Sequence, residues 1–386
     1  MIPYGRQDIT EADIAAVVDV LQSDWLTQGP MVPRFEQEVA SKVGAQYAVA
    51  VNSATSALHL ACLALDLGPG DWLWTSPNTF VASANCGLYC GAKVDFVDID
   101  PLTYNLSVEA LTLKLEQAER SGTLPKVVIP VHFSGQSCNM AEIHALSQRY
   151  GFKIIEDASH AIGSRYKGQP VGNCRYSDIT VFSFHPVKII TTAEGGMALT
   201  NNSMLAERMR SLRAHGITRD PEQIQDKSQG AFYYEQIELG FNYRMTDMQA
   251  ALGLSQLERL EQFVTQRQHL ASVYDRSLID LPLVRPFQHP DTYSAFHLYV
   301  IQVDANRSPL DRRALLDYLR AAGIGVNVHY IPVHTHPYYR KINSSKLQFI
   351  EAENYYAHAI TLPLFFGLQE SQQAEIIEVL TKVLQK

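Results

Sequence analysis

The feature that most constrains this chain is a regular alternation of short apolar runs with helical patterns between residues 47 and 201. Seven runs have the length and the aliphatic, β-branched composition of buried strands. They are YAVAVN (47–52), DWLWTS (71–76), KVDFVDI (93–99), KVVIPVHF (126–133), FKIIED (152–157), DITVFSF (178–184) and GMALTN (196–201). Amphipathic segments lie between most of them. The pattern predicts an α/β fold with a mostly parallel sheet that helices cover on both faces.

The patterns on either side of this region differ from it. Before it, Thr10 and Asp13 form a capping-box pattern, and the apolar residues that follow on one helical face are Ile14, Val17, Val18 and Leu21. After it, one helical pattern extends over residues 245–278, which is longer than a usual single-domain helix. We therefore predict a large domain of residues 1–255, joined through this helix to a small domain of residues 256–386.

The C-terminal part has a mixed pattern. Two strand-like runs, AFHLYVIQV (295–303) and GVNVHYIPV (325–333), flank the helical segment DRRALLDYLRAAG (311–323). Strands and a helix in this order, without the regular alternation of the larger region, predict a small α+β domain.

Composition and charge exclude several classes of protein. The 40 acidic and 32 basic residues give a formal net charge of −8, and no long Lys/Arg run is present. We therefore expect no nucleic-acid partner. The polar, acidic N-terminus predicts no signal peptide, and no apolar stretch reaches the roughly 18 residues that a membrane helix needs. Five cysteines without a CxxC pair fit free thiols in a reducing cytoplasm.

Residues that follow the strands are the candidates for a site, because ligands of open parallel sheets bind beyond the carboxyl ends of the strands. In NSATSALHL (52–60), small residues open a helix. They predict either a phosphate cradle or a plain N-cap made by Ser53 or Thr55. Asp157 follows another strand, and it is either an N-cap or a buried carboxylate for a cationic ring nitrogen. His160, one turn later, is either a structural histidine or a hydrogen-bond partner of a ligand oxygen.

Two further segments carry unusual side chains. In SFHPVK, Ser183, His185 and Lys188 follow a strand, but no GxSxG elbow surrounds the serine, and no His/Cys/Asp set has the spacing of a zinc site. No metal is therefore expected. An amine nucleophile that forms a Schiff base with an aldehyde cofactor fits Lys188 better. In SPNTFVASAN (76–85), Phe80 either caps the core or offers a flat face for an aromatic ring.

In chain order these features are a phosphate cradle, an aromatic face, a carboxylate, and then a serine and a lysine. This order resembles the pyridoxal 5'-phosphate (PLP) enzymes of the aspartate aminotransferase fold. The segments EDASHAIGSRYKG, VFSFHPVKIITTAEGGM, LRAHGI and LGFNYRMTDMQAALGLSQL are similar to those of the DegT/DnrJ/EryC1/StrS sugar aminotransferases. The likeness covers nearly the whole chain. It implies PLP-dependent transferase fold type I, with a large PLP-binding domain and a small α+β C-terminal domain.

The resemblance also implies roles for individual residues. The implied catalytic residues are Lys188, which forms the Schiff base, Asp157, which pairs with the pyridine nitrogen, and His160, near the phenolic oxygen. The further implied cofactor contacts are Ala54, Thr55 and Ser183 at the phosphate, Phe80 against the ring, and Asn242 at the phosphate of a neighbouring subunit. The contact by Asn242 implies a homodimer with shared active sites.

The implied substrate is less closely defined. Positions that match substrate-lining residues of the family are Tyr4, Trp25, Leu26, Thr27, Asn327, His329 and Tyr330, with residues 1–30 as an arm that contributes to the site. For Trp25 and Tyr330, core packing is an equal alternative. Similar segments imply transfer of the amino group of L-glutamate to a UDP-linked 4-keto-6-deoxy-N-acetylamino sugar of pseudaminic acid biosynthesis. The alternatives are an enzyme for another nucleotide sugar, of the 4-amino-arabinose or perosamine type, and a non-catalytic regulatory relative.

Overall fold

The computed structural model describes residues 1–226, 228, 230, 232–342 and 348–385. The strands are β1 (Tyr47–Val51), β2 (Trp72–Thr75), β3 (Lys93–Phe96), β4 (Val127–Ile129), β5 (Lys153–Asp157), β6 (Arg165–Tyr166), β7 (Gln169–Pro170), β8 (Ile179–Ser183), β9 (Gly196–Thr200), β10 (Ile217–Thr218), β11 (Glu235–Gln236), β12 (Leu283–Val284), β13 (Thr292–Tyr293), β14 (Tyr299–Val303) and β15 (Ala359–Leu362).

The α-helices are α1 (Glu11–Leu21), α2 (Met31–Val43), α3 (Ala54–Ala64), α4 (Ala82–Tyr89), α5 (Val108–Ser121), α6 (Met140–Tyr150), α7 (Ser203–Arg213), α8 (Asp247–Glu258), α9 (Leu260–Ser277), α10 (Arg312–Ala321), α11 (Pro337–Ile342), α12 (Ile350–His358) and α13 (Glu370–Leu384). Short 3-10 helices span Phe133–Gly135 and Val333–Thr335.

All seven predicted runs form strands of one sheet, in the order β1-β9-β8-β5-β4-β2-β3. Parallel pairs join β8, β5, β4, β2 and β3, while β9 runs antiparallel to both β8 and β1. Alternate residues face opposite sides: Val49 and Val51 pack in the same core as α3, whereas Ala48 and Ala50 pack in the core with α2. The predicted α/β class and mostly parallel sheet are confirmed.

The first predicted helix is present, but its apolar face is not covered by this chain. Thr10 and Asp13 form the expected capping box at the start of α1. Ile14, Val18 and Leu21 are 48%, 39% and 54% exposed. The helix packs against α8 through the buried Asp13 instead, whose carboxylate accepts a hydrogen bond from the Ser255 hydroxyl at 2.6 Å.

The prediction of one continuous helix over residues 245–278 is wrong. The chain forms α8 and α9, which meet at Arg259. The amide of Arg259 bonds to the Gln256 carbonyl three residues earlier, so the regular four-residue ladder is interrupted. Its guanidinium forms ion pairs with Asp8 at 2.5 Å and Asp13 at 2.7 Å. These partners lie far away in the sequence, and they stabilise the break.

In the C-terminal part, β14 and α10 confirm the predicted strand and helix, but the predicted strand at residues 325–333 is wrong. In this segment Asn327 forms an isolated bridge with Thr361 of β15. The amides of Tyr330 and Val333 donate instead to the Asn78 side chain and the Pro77 carbonyl, in the loop after β2. The segment therefore leaves the small sheet and crosses to the large one. The division into residues 1–255 and 256–386 stays a prediction.

An ion pair protects the open edge of the large sheet at β1. The Glu36 carboxylate of α2 accepts the Ala50 amide at 2.8 Å and pairs with Arg213 of α7 at 2.6 Å. The same Arg213 nitrogen donates to the Ala50 carbonyl at 2.6 Å. Both outward-facing backbone groups of Ala50 are thus paired, which blocks that part of the edge against further strand pairing.

Substitution of Glu36 tests this pair. In Glu36→Ala we expect the free energy of unfolding to fall by about 3 kcal/mol, because a largely buried Arg213 loses its counter-ion and the Ala50 amide loses its acceptor. Arg307→Ala is the control, since it breaks an exposed pair with Asp304 and should change the stability by less than about 1 kcal/mol. Urea unfolding of both variants measures the difference. Equal, small losses would mean that the pair contributes no more than a surface contact.

Candidate active site

A cavity of about 560 Å³ lies at the carboxyl edge of the large sheet. Most of the residues predicted for the site line it: Tyr4, Ala54, Thr55, Phe80, Asp157, His160, Ser183, Lys188, Asn327, His329 and Tyr330. The strands supply one wall, and the extended segment around Asn327 and Tyr330 supplies another. The fold thus brings together residues that are up to 326 positions apart in the sequence, from Tyr4 to Tyr330.

The start of α3 presents its first-turn amides at the cavity. Ser53 is the N-cap, and its hydroxyl accepts the Ser56 amide at 3.1 Å, so the predicted cap is present. The cap leaves other first-turn amides without helical partners, at the positive end of the helix dipole. Gly196 pairs with Ser183 and lies against this turn, where a Cβ would overlap the backbone of Ser53 and Ala54. A cap and a cradle are therefore compatible here, and the Ser183 hydroxyl lies beside them.

Asp157 ends β5 as a buried carboxylate, only 5% exposed. Its Oδ1 accepts the Ser159 amide at 3.1 Å, and its Oδ2 accepts the Ser83 hydroxyl at 2.7 Å. The residues that follow form turns rather than a helix, so Asp157 closes a local turn and is not a helix cap. A buried anion held in this way favours a cationic partner within the cavity.

Lys188 lies beyond the end of β8, half-buried in the cavity wall. Burial lowers the pKa of its amine to about 8, and the Asp157 carboxylate opposes part of that shift. A substantial fraction of the amine is therefore neutral near physiological pH. A neutral amine is the form that attacks a carbonyl carbon or accepts a proton.

His160 is a neutral imidazole whose tautomer follows from its contacts. Its Nδ1 lies 3.3 Å from the Ser134 amide and accepts that N–H, so the ring proton is on Nε2. Nε2 lies 3.1 Å from the hydroxyl of Tyr330. Burial, with Lys188 and His329 nearby, holds the pKa of His160 well below its usual value. The side chain therefore offers an N–H donor at neutral pH.

Several residues of the site were not predicted. His297 lines the cavity, with its ring centroid 4.4 Å from that of His160. Its signal in the sequence is a single histidine within the apolar run AFHLYVIQV. Thr79 and Ser83 lie on either side of Phe80 in the chain; the Ser83 hydroxyl donates to Asp157, and Thr79 bonds the Ser83 hydroxyl. A serine three residues after the aromatic residue gave no distinct signal in the sequence.

Four predicted residues lie outside this cavity: Trp25, Leu26, Thr27 and Asn242. All of them are exposed in the single chain. Residues 25–27 lie against the start of α8, since Thr27 bridges to Thr246 and the Leu26 carbonyl accepts the Asp247 amide. Asn242 precedes this contact by four residues in the chain.

Within the part of the chain that the structure describes, no cluster of three or more His, Cys, Asp and Glu side chains is arranged to hold a metal ion. No helix among the same described residues combines the length and apolar character needed to cross a membrane.

Comparison with known proteins assigns the chain to a family. The model of the DegT/DnrJ/EryC1/StrS aminotransferase family matches residues 7–381. The chain belongs to this family. It is a PLP-dependent aminotransferase of fold type I, and the expected family, fold and cofactor are confirmed.

Similar proteins include the spore coat polysaccharide biosynthesis protein SpsC of Bacillus subtilis, 40% identical over 99% of this chain and 97% of that protein. Among solved structures, PseC of Helicobacter pylori, an aminotransferase involved in the biosynthesis of pseudoaminic acid, matches with a TM-score of 0.90 at 30% identity. The match covers 100% of this chain and 99% of that one. Spr1654 of Streptococcus pneumoniae, described as a sugar aminotransferase, matches with a TM-score of 0.90 at 31% identity over the same shares of the two chains.

The lowered pKa of Lys188 can be measured in protein stripped of its cofactor. We expect the rate of amine acylation at Lys188 to rise with pH through a midpoint near 8, because only the neutral amine reacts. Exposed lysines as a class titrate near 10.4 and serve as internal references in the same peptide digest. In Asp157→Asn the midpoint should move lower still, since the carboxylate favours the charged amine. A Lys188 midpoint near 10 would contradict the burial argument.

Proposed function

We propose that the protein transfers the amino group of L-glutamate to the 4-keto carbon of a UDP-linked 4-keto-6-deoxy-N-acetylamino sugar. The product is the UDP-4-amino-4,6-dideoxy sugar, as in pseudaminic acid biosynthesis. The observation that carries the chemistry is a half-buried lysine of lowered pKa opposite a buried carboxylate, beside a helix N-terminus. The choice of sugar is supported by the likeness to PseC over the whole chain.

The cavity fits pyridoxal phosphate. The first turn of α3 and the Ser183 hydroxyl would hold its phosphate, and Phe80, 59% exposed at the cavity, would stack on its ring. When bound, the cofactor supplies an aldehyde that accepts the amino group and a ring that withdraws electrons. The Asp157 carboxylate would keep the ring nitrogen protonated, and Nε2–H of His160 would donate to the phenolic oxygen.

Lys188 moves the protons of the reaction. When the cofactor is bound, Nζ would hold it at its aldehyde until the amine of glutamate takes its place. The freed Nζ would then take the proton from the α-carbon of glutamate and carry it toward the cofactor. For the keto sugar, the same Nζ runs the transfer in reverse and places the proton on C4 of the sugar. A pKa near 8 suits an amine that must both accept and release a proton near neutral pH.

The sugar would bind between the cofactor and the extended wall at Asn327, His329 and Tyr330. Tyr4 lies against this wall, with its ring centroid 5.6 Å from that of His329. The His329 Nδ1 contacts the Thr361 hydroxyl at 2.8 Å, and burial with Lys188 nearby lowers the pKa of His329 to about 4. The wall is therefore uncharged, and it discriminates hydroxyl orientation through hydrogen bonds rather than through charge.

We further propose that the enzyme is a cytoplasmic homodimer with shared sites. The exposed face of α1 and the surface of Trp25–Thr27 and Asn242 would form the interface, with a second copy as the occupant. In this arrangement Asn242 reaches the phosphate in the partner's cavity, and the Trp25–Thr27 segment contributes to the partner's sugar site.

One experiment tests the reaction and its substrate. The purified protein is incubated with glutamate and each member of a panel of UDP-4-keto sugars, including precursors of 4-amino-arabinose and perosamine type products. We expect glutamate alone to bleach the yellow cofactor band, and the N-acetylamino sugar to give a 4-amino product by mass spectrometry and NMR.

Lys188→Ala is the matched control in that assay. Its turnover should fall by about 10²–10⁴-fold or more, because a general base contributes that much to the rate. Full turnover in Lys188→Ala would overturn the assignment of the lysine. Preference for another sugar of the panel would contradict the proposed substrate but not the proposed reaction. A protein that binds the cofactor but transfers no amino group would support a non-catalytic relative.

Subunit mixing tests the shared site. Asn242→Asp should weaken cofactor retention, because a carboxylate would face the phosphate dianion. When Lys188→Ala and Asn242→Asp proteins exchange subunits, half of the sites in a mixed dimer carry both substitutions and half carry neither. We therefore expect part of the activity to return. If mixing restores no activity, or if sedimentation shows a fully active monomer, the proposal of shared active sites is contradicted.

A further inference from the structure

A chain of buried hydroxyls leads to the carboxylate of Asp157. The Thr79 and Ser83 hydroxyls are 2.7 Å apart, and the Ser83 hydroxyl is 2.7 Å from Oδ2 of Asp157. Thr79 and Ser83 are 2% and 0% exposed. A carboxylate accepts only, so the single proton of Ser83 points to Asp157. Thr79 must then donate to Ser83, and the direction of both hydrogen bonds is fixed.

These donors hold the carboxylate from two sides. Ser83 is on α4 and binds Oδ2, while the Ser159 amide belongs to the turn after β5 and binds Oδ1. Two donors from separate elements leave the carboxylate little freedom to rotate. A hydroxyl that is itself hydrogen-bonded by a second hydroxyl is also a stronger donor, so Thr79 reinforces the bond to Asp157.

The segment of residues 78–83 also contributes to other walls of the cavity. Phe80 lies between Thr79 and Ser83 in the chain, and Asn78 accepts the Tyr330 amide at 3.2 Å. The turn that presents the aromatic face therefore leads directly into α4, which presents the donor that fixes the carboxylate. A shift of this turn would move both together relative to a bound ring.

We propose that Ser83 is a positioning residue that, supported by Thr79, orients the Asp157 carboxylate toward the ring nitrogen of the cofactor. This inference rests on the proposed role of Asp157. A carboxylate held in this orientation keeps its negative charge beside the ring nitrogen, which favours a protonated, electron-poor ring. Without Ser83 the carboxylate turns away, the ring nitrogen loses its charged partner, and the ring loses positive character.

The test measures the pH midpoint of the bound cofactor's visible absorption band, together with the dissociation constant of pyridoxal phosphate. A less positive ring lets the linkage at Lys188 keep its proton to higher pH, so Ser83→Ala should raise the midpoint by about half a pH unit or more. Thr79→Val should shift it in the same direction by less. The double variant should match Ser83→Ala alone, because Thr79 acts through Ser83.

Titratable groups around Asp157 and Lys188 include His160, His297, His329 and Tyr330, and none of them is altered in these variants. Ser147→Ala is the matched control. It removes a buried hydroxyl that bonds the His144 carbonyl of its own helix, away from the cavity, and it should leave the midpoint unchanged. Ser83→Cys, similar in shape but a weaker donor, should fall between wild type and Ser83→Ala.

The outcomes separate this proposal from the role of Asp157 itself. If Asp157→Asn shifts the midpoint but Ser83→Ala and Thr79→Val do not, the proposal for Ser83 is overturned and the proposed role of Asp157 stands. If Asp157→Asn also leaves the midpoint unchanged, both the proposal for Ser83 and the proposed role of Asp157 are overturned. Additive shifts in the double variant would contradict the relay. If Ser83→Ala fails to hold the cofactor, the Thr79→Val shift and the intermediate value of Ser83→Cys decide the question.

Discussion

The common direction of the strands is the constraint on which the site depends. Because β5, β8 and their neighbours are parallel, the residues that follow them meet at one edge, and Asp157 and Lys188 face a single cavity. The antiparallel β9 enters between β8 and β1, directly against the first turn of α3. Gly196 allows this approach, since a side chain there would overlap the backbone of Ser53. The first turn of α3 therefore lies at the edge of the sheet because one strand begins without a side chain.

Electrostatics within the cavity follow from burial around the Asp157 carboxylate. The histidines near Lys188 are kept neutral by desolvation and by the neighbouring amine, and the pKa of Tyr330 is raised by burial and by the Asp157 carboxylate. The wall thus offers neutral donors and acceptors, while charge is concentrated at Asp157 and Lys188. Such a division suits chemistry in which a proton moves at one amine and recognition of a sugar is made through hydroxyl groups.

The local part of this architecture could be predicted from the sequence, and the long-range part could not. The seven strands and the capping box at Thr10 are encoded in short patterns, and the strand ends pointed to Asp157 and Lys188. The break at Arg259 depends on Asp8 and Asp13, some 250 residues away, which no local pattern contains. The run at residues 325–333 has a strand-like composition, but its amides bind the loop after β2. Ser83 stayed hidden for the same reason, because its partner is 74 residues away.

The position of Asn242 constrains how two copies could meet. Its carbonyl lies 3.5 Å from the Asn52 side chain, next to the cradle of its own chain, while the residue itself is exposed and outside that cavity. If this side chain serves the phosphate of a second copy, a two-fold axis requires the reciprocal contact. Each cradle then lies close to the 241–244 segment of both chains, so the two sites must lie near the axis. The exposed apolar face of α1 would supply apolar area that such an interface needs. Dimer formation would therefore complete the active site and bury this apolar face of α1 at the same time.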